Sequence, residues 1–241
     1  MSRKFGNQEL LISSNTWIQN NQLQYESLVL EKRYSHKEIL KIKKSIDDLD
    51  ILKCNVTGME VDRISDGWIV NRGKLKEFKK VNNIETLLDI KNNLLQIRTL
   101  DNDFFEKVDY KLIDGYIETF CYIDNIKIDV DFNYQINKPI VDIQNSISKQ
   151  IIYSLELFST IDIEKIKNYI ATKALDIKDG WIEEGHNMNL EFFINKIEFV
   201  GYSIYEDLEY TFTFSDGDIC EGHYIHARAT KKDGLIEAYM Q

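Results

Sequence analysis

Apolar residues recur along the chain with two spacings, and the spacing predicts which segments are helices. Ile143, Ile147 and Ile151 recur every fourth residue, which predicts a helix over about 141–158. A second stripe of isoleucines predicts a helix from Asp162 to about 177. A short third helix over 189–195 follows, with an asparagine as its N-terminal cap.

Alternating apolar and polar positions predict strands, because side chains on a strand point to opposite faces in turn. In the second half of the chain the alternation predicts three strands before the helices and a four-stranded meander after them. The predicted segments are 107–112, 115–123, 126–132, 197–205, 208–214, 219–229 and 235–240.

The first half of the chain carries similar signals. Segment 27–33 alternates like a strand, and Ser35 with Glu38 has the spacing of a capping box at the start of a helix. Segment 51–61 predicts another strand, and a short helix followed by a strand at 94–99 ends this half.

The order of these elements predicts an α+β fold of two small domains, with mostly antiparallel sheets and packed helices. The polar stretch at 101–103 is the best boundary, so we place an N-terminal domain at 1–104 and a C-terminal domain at 105–241. The C-terminal domain is expected to hold strands, three helices and the four-stranded meander.

Charge is distributed unevenly between the two halves. Residues 108–241 contain 12 Lys and Arg against 24 Asp and Glu, a balance of −12, whereas the whole chain carries −10. A strongly acidic domain repels nucleic acid and anionic membranes and attracts basic proteins at long range. We therefore expect a basic protein partner, no nucleic acid and no membrane, although acidity can also serve only solubility.

The remaining composition favours a cytosolic protein without a cofactor. The first residues lack the apolar run of a signal peptide, and no stretch approaches the roughly 18 apolar residues of a membrane span. We interpret the three cysteines as reduced thiols because they are widely spaced along the chain, at Cys54, Cys121 and Cys220. The common nucleotide-binding, metalloprotease and hydrolase motifs are absent, so no cofactor or metal is expected.

The segment 210–223 carries the clearest local signal. Alternating aromatic and β-branched residues followed by Asp216-Gly217 predict a hairpin with a two-residue type I′ turn, in which Gly217 has a positive φ. That register would make three pairs across the hairpin. They are Phe214 with Ile219, Phe212 with Glu221, and Tyr210 with His223.

Four polar residues of this segment form a candidate functional cluster, namely Asp216, Asp218, Glu221 and His223. Together they could perform acid–base chemistry or bind a metal. The alternative is structural: the aspartates satisfy turn amides and Gly222 permits a bulge. We favour this alternative because turn chemistry accounts for every Asp and Gly. The run Glu183–His186 offers a second histidine, and an exposed acidic loop is the simpler interpretation there.

Two motifs link this segment to a known family. Asp216-Gly-Asp218 followed by Gly222-His223, with Asp179-Gly-Trp181 upstream, resembles the bacterial domain of unknown function 2262 over about 108–241. The resemblance implies a fold, a bacterial cytosolic setting and no agreed activity, and we assign Trp181, Gly217 and Gly222 structural roles. Such families often lie near polymorphic-toxin and immunity genes. Where the family has an aromatic pair, this chain has Cys220-Glu221, which weighs against an apolar surface there.

Three functions remain open. The leading hypothesis is a non-catalytic interaction protein, of immunity type or regulatory, that recognises a basic protein partner. The second is a small hydrolase or metal-dependent enzyme that uses the candidate cluster. The third is a sensor that binds a small ligand between its two domains. Whether the protein is an enzyme stays undecided at this point, with binding favoured because catalytic motifs are absent.

Overall fold

Two sheets, one in each half of the chain, organise the fold. The computed structural model describes residues 8–14, 16–47, 49–63, 69–123, 125–176, 189–218 and 222–240. The chain divides into unit 1, which comprises Met1–Gln96 with Ile136–Ile140, and unit 2, which comprises Ile97–Gln135 with Val141–Gln241. Our domain boundary at 104/105 stays a prediction for proteolysis and for fragments. The α+β class is confirmed.

Unit 1 is built on a four-stranded sheet of order β1-β4-β6-β5, in which only β4 and β6 are parallel. Two short strands, β2 and β3, form a separate hairpin. The elements are β1 (Gln8–Ser14), β2 (Trp17–Gln19), β3 (Gln22–Gln24), β4 (Ser27–Tyr34), α1 (His36–Ser45), β5 (Leu52–Arg63), β6 (Ile69–Lys80) and α2 (Glu85–Leu95).

The capping box predicted for α1 is confirmed. The backbone N–H of Ser35 donates to Glu38 Oε2 at 2.9 Å, and the Glu38 N–H donates to Ser35 Oγ at 3.4 Å. These bonds satisfy amide groups that the first turn of a helix leaves without partners. β6 was not predicted from the sequence, because its lysines conceal the buried positions Val70 and Leu75.

Unit 2 is built on a six-stranded sheet of order β14-β13-β12-β11-β10-β9. Its elements are β7 (Ile97–Leu100), β8 (Val108–Lys111), β9 (Tyr116–Ile123), β10 (Ile126–Asn133), α3 (Ile140–Phe158), α4 (Ile163–Asp176), α5 (Leu190–Lys196), β11 (Glu198–Ile204), β12 (Tyr210–Ser215), β13 (Tyr224–Thr230) and β14 (Gly234–Met240). The predicted meander is confirmed as β11–β14. It joins β9 and β10 into one sheet through the parallel pair β10–β11.

One face of the six-stranded sheet carries the core of unit 2. Tyr202 of β11 hydrogen-bonds Ser154 of α3 through their hydroxyl groups, and the ring of Phe158 lies 5.0 Å from the ring of Tyr202. Strand residues on this face are almost fully buried, among them Phe132, Ile204, Phe212, Phe214 and Ala227. Burial of these large apolar side chains is the main term that holds α3 on the sheet.

Candidate functional site

The loop between β12 and β13, residues 216–223, contains the predicted candidate cluster. The Asp216 side chain is buried, and both its oxygens accept backbone hydrogen bonds. Oδ1 accepts from the N–H of Asp218 at 2.9 Å, and Oδ2 accepts from the N–H of Gly222 at 3.0 Å. A carboxylate used in this way organises the loop, which supports the structural interpretation of the motif.

Position 217 requires glycine for two separate reasons. Its φ is +59°, a region that side-chain-bearing residues rarely adopt, so the predicted positive φ is confirmed. A Cβ atom at this position would also overlap the carbonyl oxygen of Lys196 at the end of α5. Gly222 has a φ of +79°, but a Cβ there would meet nothing within 4 Å. The loop therefore packs against α5 at Gly217.

The predicted two-residue hairpin turn is wrong, and so are its three cross-strand pairs. Phe214 pairs with Ile225, Phe212 with Ala227, and Tyr210 with Ala229. The loop spans eight residues because Asp216 turns inward and binds the amide of Gly222, which a tight Asp-Gly turn would not allow. The observed register also places apolar residues opposite the buried phenylalanines.

The structure therefore brings together only part of the predicted cluster. Asp216 is buried, while Asp218 and His223 are exposed. Tyr210, predicted to pair with His223, is instead buried against Tyr153 at 5.9 Å between ring centroids. Several predicted residues lie outside the described residues: Glu221, Cys220, Trp181, Asp179, Gly180 and the run Glu183–His186.

The opposite side of the six-stranded sheet, which we call the polar face, is a second candidate site. Residues directly paired across neighbouring strands share a face, so the register defines it. Its members are Glu118, Phe120, Tyr122, Lys127, Asp129, Asp131, Glu198, Ser203, Thr211, Thr213, Ser215, Tyr224, His226, Arg228, Glu237 and Tyr239.

His226 lies at the centre of the β12–β14 half of the polar face. Its Nδ1 is 3.2 Å from Thr213 Oγ1, and its ring stacks on Tyr239 with centroids 5.1 Å apart and an angle of 29° between planes. Burial lowers the pKa of His226, so its ring is uncharged at neutral pH. The partners that surround the imidazole here are thus a hydroxyl group and an aromatic ring.

The two cations of the polar face are both held by carboxylates. Lys127 Nζ lies 2.9 Å from Asp129 Oδ1. Arg228 lies between two glutamates, 3.4 Å from Glu209 and 3.0 Å from Glu237. The positive charges are therefore neutralised within the face itself.

Asp131 is a carboxylate of the polar face that lies partly buried beside Ser203. Burial raises its pKa, the hydrogen bond from Ser203 at 3.1 Å opposes that rise, and the charges of Glu118 and Asp129 raise the pKa further. Like charges placed side by side on neighbouring strands destabilise a sheet. The repulsion between these carboxylates falls when a positively charged group binds beside them.

The polar face was not predicted from the sequence. Its signal lies in alternate positions of β12 and β13, where polar residues, namely Thr211, Thr213, His226 and Arg228, alternate with apolar ones. Each strand contributes only a few of these residues, so the grouping becomes visible only with the strand order. No group of three metal-ligating side chains occurs among the described residues.

The fold and the two sites define unit 2 as an α+β module with a structural Asp-Gly-Asp loop and an acidic sheet face. The family model described as "Uncharacterized protein conserved in bacteria (DUF2262)" matches residues 118–240, more than half of the chain. The chain belongs to this family of domains of unknown function. No curated protein and no solved structure matches it. In the part of the chain that the structure describes, no helix is long and apolar enough to cross a membrane.

Proposed function

We propose that the protein is a non-catalytic interaction protein of the bacterial cytosol, whose polar face recognises a basic protein partner. The observation that carries the proposal is the charge of that face. Five strand carboxylates, Glu118, Asp129, Asp131, Glu198 and Glu237, stand against two cations. Both cations already have carboxylate neighbours.

The geometry of the face suits binding more than catalysis. It is a broad sheet surface with half-buried polar groups and exposed aromatic rings, including Tyr122 at 62% and Tyr224 at 51% exposure. Tyrosine is enriched in protein interfaces because it offers a large rigid area with a polar tip. Carboxylates around such rings are complementary to lysine and arginine on a partner, which steers encounter and selects the partner.

The enzyme alternative has less support. Asp216, the central carboxylate of the predicted cluster, is occupied by two backbone amides. A general base needs access to a substrate proton, and a buried carboxylate with both oxygens engaged does not have it. We therefore assign the Asp-Gly-Asp loop a structural role and keep the partner-binding role for the polar face.

Capture of a partner from the native host tests the proposal. Purified protein is immobilised and exposed to lysate at low and at high salt. We expect a basic protein to be retained, and more of it at low salt, because salt screens surface charges over about 8 Å at physiological ionic strength. The proposal is contradicted if the retained partner is acidic, or if the same amount is retained at low and at high salt.

Two further measurements separate the alternatives. The metal-dependent enzyme hypothesis is supported if elemental analysis finds one zinc or manganese per chain and the metal is lost in His223→Ala. The sensor hypothesis is supported if a small neutral molecule copurifies with the protein. The neighbouring genes give a third indication, since an adjacent toxin gene points to an immunity protein and a metabolic operon points to an enzyme or a sensor.

A further inference from the structure

An open groove of about 670 Å³ lies where the edge strand β9 meets the link between α3 and α4. Its apolar lining includes Phe104, Tyr122, Phe158 and Ile161, and the carboxylate residues Asp162 and Glu164 complete it. The volume is within the range of about 300–1,000 Å³ that is typical of sites for small molecules and short side-chain anchors.

The apolar wall of the groove is fixed by the core. The ring of Phe158 packs on Tyr202 inside unit 2 at 5.0 Å, and Phe104 packs on Phe158 at 4.9 Å. Phe104 nevertheless remains 37% exposed, and Tyr122 is 62% exposed. The wall is therefore preformed, so an incoming apolar side chain displaces water without the cost of first ordering the wall.

Two carboxylates lie at the start of α4. Asp162 Oδ1 accepts the N–H of Lys165 at 2.9 Å, which fixes this carboxylate as a cap. The Glu164 side chain is 71% exposed, and Lys167 Nζ lies 3.9 Å from its Oε1. The groove therefore has an apolar floor with carboxylates on one side.

The groove and the polar face meet at Tyr122, on the edge strand β9. Tyr122 belongs to both, and its ring meets Phe120 edge to face at 5.7 Å on the same strand. Lys127 Nζ lies over the Phe120 ring at 4.5 Å, so this ring already holds a cation. A partner on the polar face reaches the groove at the edge of the sheet, where β9 is the outermost described strand.

We propose that the groove takes a large apolar side chain of the basic partner, flanked in sequence by lysine or arginine. This inference rests on the proposed function and adds an anchor to it. The apolar side chain fills the space between Phe104 and Tyr122, and the flanking cations pair with Asp162 and Glu164. Central apolar anchors of this kind carry most of the binding energy in protein interfaces.

Three labelled peptides of equal length test the inference by fluorescence anisotropy with the full chain. The first contains Phe-Leu flanked by lysine and arginine, the second has Ser-Ser in place of Phe-Leu, and the third has glutamate in place of every cation. We expect the first to bind at least about fivefold more tightly than either of the others.

Two variants locate the binding. Tyr122→Ser should weaken the first peptide by about fivefold. Phe192→Ser is the control, since Phe192 is also an exposed aromatic residue of unit 2, at 40%, and does not line the groove. It should leave the affinity unchanged. Equal loss in both variants overturns the assignment to the groove.

The remaining outcomes are equally decisive. Equal affinity of the first and second peptides shows that no apolar side chain occupies the groove, which overturns the inference. The proposed function then still holds, with recognition by charge alone. Equal binding of the first and third peptides removes the requirement for cations. If no peptide binds, the groove proposal is overturned. The capture experiment with host lysate then tests the proposed function independently. Sedimentation that shows a dimer lost in Tyr122→Ser assigns the groove to a second copy of the chain and overturns the inference.

Discussion

The carboxylate of Asp216 accepts a hydrogen bond from the backbone N–H of Gly222 at 3.0 Å, across the loop that joins β12 to β13. This bond, together with the one from the Asp218 N–H, ties the Asp-Gly-Asp motif to Gly222 of the Gly-His motif. The motif residues shape a loop that packs against the end of α5 at Gly217.

The role of Asp216 predicts a difference between two aspartates of one loop. Asp216→Asn replaces an accepting oxygen with an amino group that faces a backbone N–H, so the free energy of unfolding should fall by about 2 kcal/mol. Asp218→Asn, at an exposed position with a φ of +62°, should change it little, because asparagine tolerates this conformation. Urea denaturation measures both. Equal effects at the two positions contradict the assigned role.

The two glycines of the loop predict a second difference. Gly217→Ala meets both a left-handed backbone and the Lys196 carbonyl, and should destabilise the protein by about 3 kcal/mol. Gly222→Ala has open space around the added carbon, so only the backbone cost of about 1 kcal/mol remains. Thermal unfolding of the two variants tests this order. A reversal of the order shows that the loop does not pack on α5.

The sequence patterns predicted most helices and strands, because burial on one side imposes a spacing that depends only on neighbours along the chain. Ser35 with Glu38 and the cap at Asn189 are local in the same sense, and Asn189 Oδ1 accepts the N–H of Phe192 at 2.8 Å. The tight turn at Asp216-Gly217 failed for the opposite reason. Its conformation depends on the amide of Gly222 and on the carbonyl of Lys196, which local spacing does not reveal.

The sheet order and the polar face were also beyond the sequence patterns. The parallel pairing of Val130 with Tyr202 joins strands that are separated along the chain by α3, α4 and α5. Loop closure over that distance leaves no local signature in the sequence. The position of Asp131 beside Ser203 follows from the same pairing, so the candidate site could not be assembled before the strand order was known.

The half-buried imidazole of His226 predicts a pH dependence of stability. Its pKa in the folded chain lies below the ordinary value of 6.5, so the unfolded chain takes up the proton first as pH falls. Stability should be unaffected by His226 above pH 6.5 and should decline as pH falls below that value, until the folded ring also protonates.

Urea denaturation at pH values on both sides of 6.5 measures this decline. His226→Gln should remove that part of the pH dependence, while His223→Gln, at an exposed position, should retain it. A wild-type profile that is unchanged by His226→Gln shows that the ring is not buried as described.

Fragments decide between the two proposed boundaries of unit 2. A fragment of residues 97–241 retains β7, which pairs with β8, and it keeps the 2.6 Å hydrogen bond from Thr99 Oγ1 to Asp109. A fragment of residues 105–241 lacks β7. We expect both to fold and the longer one to melt at a higher temperature. Equal melting temperatures favour the boundary at 104/105, and a molten longer fragment contradicts an independent unit 2.

The central claim, that the polar face binds a basic protein, is tested most directly by the affinity of the captured partner for two charge variants. The face variant Glu118→Gln/Glu198→Gln removes two exposed carboxylates of the polar face. The control variant Glu60→Gln/Asp89→Asn removes two exposed carboxylates of unit 1 and has the same net charge.

Titration calorimetry at low salt should give about fivefold weaker binding for the face variant, since two exposed pairs at about 0.5 kcal/mol each are lost. The control variant should bind like the wild type. Equal losses in the two variants would show that total charge alone attracts the partner, and an unchanged affinity of the face variant would place the interface elsewhere.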